Sequence, residues 1–402
     1  MLLRAETRQI FVDTGYMSKA CGKLKNDNRD DEFLVSRILF LTTYNTNIDI
    51  AKLIDEDKLA ENVCLNISRH GKQCSMKQKK PKDPMEDMAL IESLKLLFNL
   101  THFCPDRLAA FSSCLKTILS IVAELPISST KPLDQPVASL VNALMNLDLE
   151  DKDNIAILFP KSSQTIYLDC FVEILDKATK VYGNAELEQL VSPLLTLLRK
   201  LYEVGPNEIK TQMRKVILPS EIDRQQPLGR TETLASRLLR QSTDPATPQL
   251  RESISGLLFD MSDKDARSFV QNVGYGFASG FLFQHNVPIP ENALEAWSTS
   301  GSERVSHESR NLDGRVNPIT GQFLDMEDKV DTKEMTNEEK EREAERLFVL
   351  FERYAWRFAG NLRICANLNR LKKTGIVDIE NPVAKAYQEG RFEELPDDAD
   401  SD

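Results

Sequence analysis

The sequence predicts an all-α chain of stacked helices, and three observations carry that expectation. Apolar residues recur at helical spacing through most of the first 285 positions. Only 16 Gly and 18 Pro occur in 402 residues, and alternating β-branched runs are few, which argues against a sandwich or barrel. A Leu-rich helix pattern also repeats, with Phe98-Asn99-Leu100 echoed by Met145-Asn146-Leu147, 47 residues on. A period near 40–47 residues is the size of an armadillo or HEAT unit, so the expected fold is an armadillo/HEAT-like helical-repeat superhelix, or solenoid. A helix pair cannot bury its apolar face alone, and stacked neighbours leave a long concave surface.

The predicted stripes run in order. Phe33, Leu34, Ile38 and Leu41 form the first, and Leu90, Leu94, Leu97 and Phe98 the second. Leu108, Phe111, Leu115, Ile118, Leu119 and Val122 form a third, followed by Leu140, Leu144 and Leu147. Later stripes pass through Phe171, Ile174 and Leu175, then Leu190, Leu194, Leu197, Leu198 and Leu201. Pro105, Pro126, Pro132, Pro160, Gly183 and Gly205-Pro206 punctuate them. Phe40-Leu41-Thr42 and Asn99-Leu100-Thr101 repeat at 59 residues, and the polar stretch Gly71 to Pro84, with five Lys, accounts for the extra length. That stretch reads as a solvated loop, or more sharply as a basic docking loop for an acidic partner.

The expected organisation is a repeat body over 1–290 with a loop at 71–84, a flexible linker over 291–335, a helical tail over 336–391 and a disordered acidic end over 392–402. The linker is rich in Ser, Gly, Asn and Asp, with one island, Asn317-Pro-Ile-Thr-Gly-Gln, that reads as a turn. The tail helix has a capping box, Thr336 with Glu339, and one apolar face of Ala344, Leu347, Phe348 and Phe351. That face needs a surface, either the repeat body or a partner.

The net charge of −11 is uneven: residues from Asp325 onward carry 20 acidic and 13 basic side chains, the rest 42 and 38. A nucleic-acid binder would present a basic face instead. Seven Cys at positions 21, 64, 74, 104, 114, 170 and 365 show no C-x-x-C spacing, and none pairs with a His at finger spacing. They read as reduced, buried thiols, and neither zinc nor a cofactor is expected. The first residues hold no apolar run of signal-peptide type, and no uncharged apolar stretch reaches spanning length, so the expected location is cytoplasmic.

Gly274-Tyr-Gly-Phe-Ala-Ser-Gly280 has glycine spacing like a phosphate loop. No strand precedes it and no Gly-Lys-Ser/Thr follows, so close helix packing or a tight bend is the better reading. No local nucleophile motif marks a catalytic centre, and the chain is not expected to be an enzyme. Asn99, Asn142 and Asn146 sit on helices otherwise filled with core residues. They, with Arg37, are candidate partner-binding residues on the concave side; the alternative for the Asn residues is a capping or inter-repeat hydrogen bond. Ser300, three residues before Glu303, is a candidate phosphorylation site for an acidophilic kinase.

These segments carry a resemblance. Asp31-Glu-Phe-Leu-Val-Ser-Arg-Ile-Leu-Phe-Leu-Thr-Thr-Tyr44 resembles the first well-marked helix of the synembryn family, and Leu94-Lys-Leu-Leu-Phe-Asn-Leu-Thr and Val141-Asn-Ala-Leu-Met-Asn-Leu resemble its next inner helices. Ile217-Leu-Pro-Ser-Glu-Ile-Asp-Arg with Pro227-Leu-Gly is similar to its mid-chain linker, and Val273-Gly-Tyr-Gly-Phe-Ala-Ser-Gly to its glycine helix. Asn317-Pro-Ile-Thr-Gly followed by Met335-Thr-Asn-Glu-Glu-Lys-Glu-Arg-Glu-Ala is the most specific match. The resemblance implies an exchange factor and chaperone for the α subunits of heterotrimeric G proteins, in GDP-bound or nucleotide-free form, within G-protein-coupled receptor signalling. It implies a concave surface for the α subunit's C-terminal helix, a tail helix reaching the switch region through Leu347 and Phe351, no nucleotide site of its own, a monomeric state, and recruitment to the cell cortex or plasma-membrane periphery.

Two departures stand out. Members of the family carry more sequence before the Asp31 helix, so the first repeat is expected to be incomplete. Tyr354 to Arg370 also interrupts a helix that in relatives continues directly, and an in-frame retained intron is one hypothesis for it, decided by sequencing the spliced transcript. An armadillo-type adaptor that grips peptides without nucleotide exchange is the competing function, and a hydrolase on a helical scaffold a third.

Overall fold

The computed structural model describes residues 4–25, 28–76, 83–288 and 316–327, with Arg342 and Arg346. The described residues hold sixteen α-helices and no β-strand, with one isolated antiparallel bridge between Val316 and Phe323. The helices are α1 (Ala5–Asp13), α2 (Met17–Lys23), α3 (Arg29–Thr42), α4 (Ile50–Asp55), α5 (Leu59–Met76), α6 (Pro84–Phe103), α7 (Ser112–Glu124) and α8 (Val137–Asn146), then α9 (Lys152–Leu158), α10 (Ile166–Val181), α11 (Asn184–Val204), α12 (Asn207–Ile217), α13 (Leu234–Gln241), α14 (Pro248–Met261), α15 (Ala266–Val273) and α16 (Tyr275–Gln284).

Local sequence sets many of the boundaries. Side-chain oxygens of Asn28, Asp49, Asp83, Asp151, Thr233 and Asp265 accept from the first-turn amides of the helices they precede. Pro84 occupies the first turn of α6, where its missing N–H costs nothing. Gly205 closes α11, and Pro206 opens α12.

Two layers result. In one, α3 packs on α6, α6 on α8, α8 on α11 and α11 on α14; in the other, α5 packs on α7, α7 on α10 and α10 on α13. The pairs α5–α6, α7–α8, α10–α11 and α13–α14 cross between layers. Phe111, Phe171, Ile67, Leu94, Leu97 and Leu115 are fully buried between them. This is the helical-repeat architecture expected from the periodicity.

The repeat step is longer than the expected 40–47 residues. Contacts between successive helices of the first layer span 57 residues (Ser36 to Ser93), 48 (Asn146 to Phe98), 55 (Lys200 to Met145) and 61 (Arg199 to Asp260). Most rungs contain a third, short helix, α4, α9 or α12, beside the two long ones, and this adds the extra residues.

The stripe expected on α3 is not its buried face. Glu32, Val35, Ser36, Leu39 and Thr42 are buried, whereas Phe33, Ile38 and Leu41 are half-buried and Leu34 is 55% exposed. The reversal has a cause: α5 and α6 supply partners for the polar groups. Glu32 accepts from His70 Nε2 at 3.0 Å and Ser93 Oγ at 2.6 Å and is paired with Arg69, and Ser36 and Ser93 share a hydrogen bond at 3.2 Å. Satisfied polar groups can occupy an interior.

One compact unit covers Met1–Glu327, so the Asn317 island belongs to the body although it was expected within the linker. The loop expected at 71–84 is shorter: 71–76 are the last turns of α5 and Pro84 the first of α6, so only 77–83 stand between the helices, with 77–82 outside the described residues. The remaining linker expectation, the tail helix apart from helical Arg342 and Arg346, the interruption at 354–370 and the acidic end also lie outside them.

Candidate functional site

The exposed side of the α3–α6–α8 layer gathers the candidate residues near its N-terminal end. Phe40 of α3, Tyr44 just past its C-cap Thr43, Lys95, Phe98 and Asn99 of α6 and Asn142 of α8 line a cleft of about 200 Å³. Phe40 and Tyr44 pack edge to face at 5.3 Å, and Phe98 stacks on His102 at 6.1 Å. Arg37 is exposed beside the cleft, 5.9 Å over the Phe33 ring, and reaches Glu92 Oε1 at 3.4 Å. Lys95 holds the same carboxylate at 2.9 Å. The surface is aromatic and amide-rich with a basic edge.

The four expected contact residues are not equivalent. Asn99 is 2% exposed; its Nδ2 donates to Thr43 Oγ1 at 2.6 Å and its Oδ1 accepts from Tyr44 Oη at 3.3 Å. Asn146 Nδ2 donates to the Phe98 carbonyl at 3.3 Å. Both therefore make inter-helix hydrogen bonds, the alternative weighed for them. Asn142 and Arg37 keep access to solvent. Leu347, Phe351 and Ser300 lie outside the described residues.

Three motifs far apart in the sequence meet in space. Arg224, from the Ile217–Arg224 motif, is buried and donates to the carbonyls of Gly321 at 3.0 Å, Gln271 at 3.2 Å and Asn272 at 2.8 Å. Its own carbonyl accepts from Phe323 N at 2.8 Å. Leu228 N donates to Thr320 O at 3.0 Å. Tyr275 N and Gly276 N, at the start of α16, donate to Pro318 O and Ile319 O at 2.8 and 3.1 Å. The island at 317–321 thus caps α16 with carbonyls. Those amides are occupied, so the glycine motif presents no phosphate cradle. Gly274 is the bend itself, with φ +79°, and a Cβ there would meet Ile319 O at 3.0 Å. The segment resembling a mid-chain linker is accordingly ordered. Asp223 accepts from Ser220 N and Oγ at 2.9 and 2.7 Å and from Thr231 Oγ1 at 2.5 Å. A signal was available in retrospect: Asp-Arg, Gly-Tyr-Gly and Asn-Pro-Ile-Thr-Gly are each unusual, but nothing local says they touch.

Burial raises the pKa of several thiols, those of Cys104 and Cys170 among them. Cys21 is pushed up to about 12, by burial first and the Asp57 charge second. Among the described residues no group of three His, Cys, Asp or Glu is placed to hold a metal ion, and no helix is long and apolar enough to cross a membrane.

Helix pairs stacked in two layers define a helical-repeat protein as a class. The family model for the guanine nucleotide exchange factor synembryn matches residues 1–391, and the chain belongs to that family. A synembryn-like chaperone of Schizosaccharomyces pombe is 26% identical over 356 residues, 82% of this chain and 62% of the relative. The chaperone Ric-8A of Macaca fascicularis is 23% identical over 276 residues, 65% of this chain and 51% of that protein. The chaperone Ric-8 of Drosophila pseudoobscura pseudoobscura is 27% identical over 188 residues, 46% and 33%. The chain spans less than two thirds of the length of these curated relatives.

Proposed function

We propose that this chain binds α subunits of heterotrimeric G proteins, promotes GDP release from them and assists their folding. Family membership supports the class of activity, and relatives named chaperones support the folding role. The observation that carries the reading to a surface is the exposed cleft of α3, α6 and α8 with Arg37 and Asn142 at hand. Its aromatic rings offer contact area at low entropy cost to an amphipathic helix, the α subunit's C-terminal segment. Asn99 and Asn146 act as positioning residues that hold α3, α6 and α8 in register.

The mechanism is differential binding. A partner that grips the open, nucleotide-free form better than the closed one lowers the cost of GDP loss, with no catalytic group of its own. Binding native-like but not unfolded α subunit stabilises it by mass action. The tail helix, through Leu347 and Phe351, makes a second contact, and phosphate on Ser300 tunes it; incorporation unchanged by Ser300→Ala removes that second idea. The chain acts as a monomer and reaches the membrane periphery through its partner.

The test loads an α subunit with GDP or with a non-hydrolysable GTP analogue and measures capture and GDP release by the full chain. Preference for the GDP or empty form with accelerated release is expected. Indifference to nucleotide with no acceleration would establish the adaptor reading instead.

A further inference from the structure

A second cleft lies away from the α3–α6–α8 cleft, where the end of α2 meets one face of α5. It has a volume of about 560 Å³, within the range of small-ligand sites. Its lining includes Lys25, Lys58, Arg69 and Lys72 against a single carboxylate, Glu61. Arg69 is shared with buried Glu32, and Lys58 with Glu61 at 3.5 Å. Lys25 and Lys72 are exposed and form no ion pair among the described residues.

The observation that makes this more than a charged surface is Asn66. It also lines the cleft, is 3% exposed, and its Nδ2 has no hydrogen-bond partner. Leaving a buried donor unmade is unfavourable, and an acceptor that reaches it recovers that cost. Neighbouring Asn62 shows the ordinary solution, donating to the Cys21 carbonyl at 3.1 Å. An unused amide beside the two unpaired lysines, Lys25 and Lys72, and the Ser68 hydroxyl is a donor set open to acceptors, with Arg69 adding its charge. A carboxylate would engage two or three of these groups. A phosphate monoester brings three acceptor oxygens and a charge of about −1.5 to −2 at neutral pH, which suits the excess of cations. The volume exceeds what a bare phosphate needs. We propose that the α2–α5 cleft is a binding site for a phosphate monoester headgroup, with Asn66 donating to a phosphate oxygen and Lys25, Lys72 and Arg69 neutralising its charge.

The full chain is titrated with glycerol 3-phosphate and, separately, with phosphatidylcholine vesicles carrying a phosphoinositide or charge-matched phosphatidylserine. Saturable binding of glycerol 3-phosphate is expected if the ester is soluble, and preference for phosphoinositide over phosphatidylserine vesicles if it is a lipid headgroup. Lys25→Glu/Lys72→Glu should weaken whichever binding is seen by tenfold or more, and Lys152→Glu/Lys215→Glu, an equal charge change elsewhere, should not. Asn66→Ala should weaken it several-fold without lowering Tm, because the amide holds nothing in the free protein; a purely structural Asn66 would do the reverse. No binding to any probe, equal binding to both vesicles with none to the soluble ester, equal loss with both charge pairs, or equal affinity for polyglutamate would each overturn the proposal.

Discussion

The guanidinium of Arg224 donates to the carbonyl of Gly321, 97 residues further along the chain, at 3.0 Å. The same side chain serves the last turn of α15 through Gln271 and Asn272. One buried cation therefore ties the Asn317 island to the end of the repeat body. Arg224→Ala leaves three carbonyls without that donor and is expected to cost at least about 2 kcal/mol, read as a lower urea midpoint. Arg224→Lys should rescue little, since the three donors of an ammonium radiate from one atom and cannot span acceptors that two separate guanidinium nitrogens serve. An unchanged midpoint in both would mean the island contributes nothing to stability.

Gly274→Ala probes the other side of the junction. With φ at +79° and Ile319 O at 3.0 Å from the new Cβ, the substitution strains the bend and pushes at the island. A loss of roughly 1–3 kcal/mol is expected. Gly280→Ala, where a Cβ meets nothing within 4 Å, is the control and should be neutral or slightly stabilising.

Glu32 gives a pH dependence. Burial by itself would raise its pKa, but the hydrogen bond and charge of His70, then Ser93 and Arg69, outweigh it and hold the carboxyl below its ordinary value. A depressed carboxyl contributes stability that is present above the unfolded value of about 4.3 and lost as pH falls through the folded one. Glu32→Gln should therefore destabilise by about 3–5 kcal/mol at neutral pH, and its thermal stability should fall less steeply than the parent's on acidification. Parallel pH profiles for the two proteins would rule out Glu32 as the source.

Arg37 and Asn99 should separate binding from stability. Asn99→Ala removes two inter-helix hydrogen bonds and is expected to cost roughly 1–3 kcal/mol. Arg37→Ala, on the surface, should stay within about 0.5 kcal/mol of the parent yet weaken α-subunit capture. Should Arg37→Ala bind normally while melting unchanged, the face beside the cleft is not where the partner sits.

The tail calls for a double substitution, Leu347→Asp with Phe351→Asp, which destroys its apolar face and keeps the chain. If the tail makes the second contact, the variant melts like the parent and still binds the α subunit's C-terminal peptide, but fails to accelerate GDP release. Normal exchange would exclude the tail from the mechanism; a lowered Tm with aggregation would place its face on the repeat body.

Helical periodicity, caps and Pro/Gly punctuation were local quantities, and so the sequence alone determined an all-α repeat chain and most of its boundaries. Asp83 before Pro84 marks the start of α6 without any knowledge of its neighbours. The ordered motifs also determined the family. Which side of α3 is buried was not local, because Glu32 and Ser36 face inward only when His70, Arg69 and Ser93 stand opposite them. The same holds for Asn99, whose amide reads as a groove contact until Thr43 and Tyr44 are seen to occupy it. Polar side chains have no fixed hydrophobic preference once partnered, so their placement depends on residues tens of positions away. Tertiary structure alone decided the meeting of Arg224, Gly274 and the Asn317 island, because a hydrogen bond spanning 97 residues leaves no trace in any window of sequence.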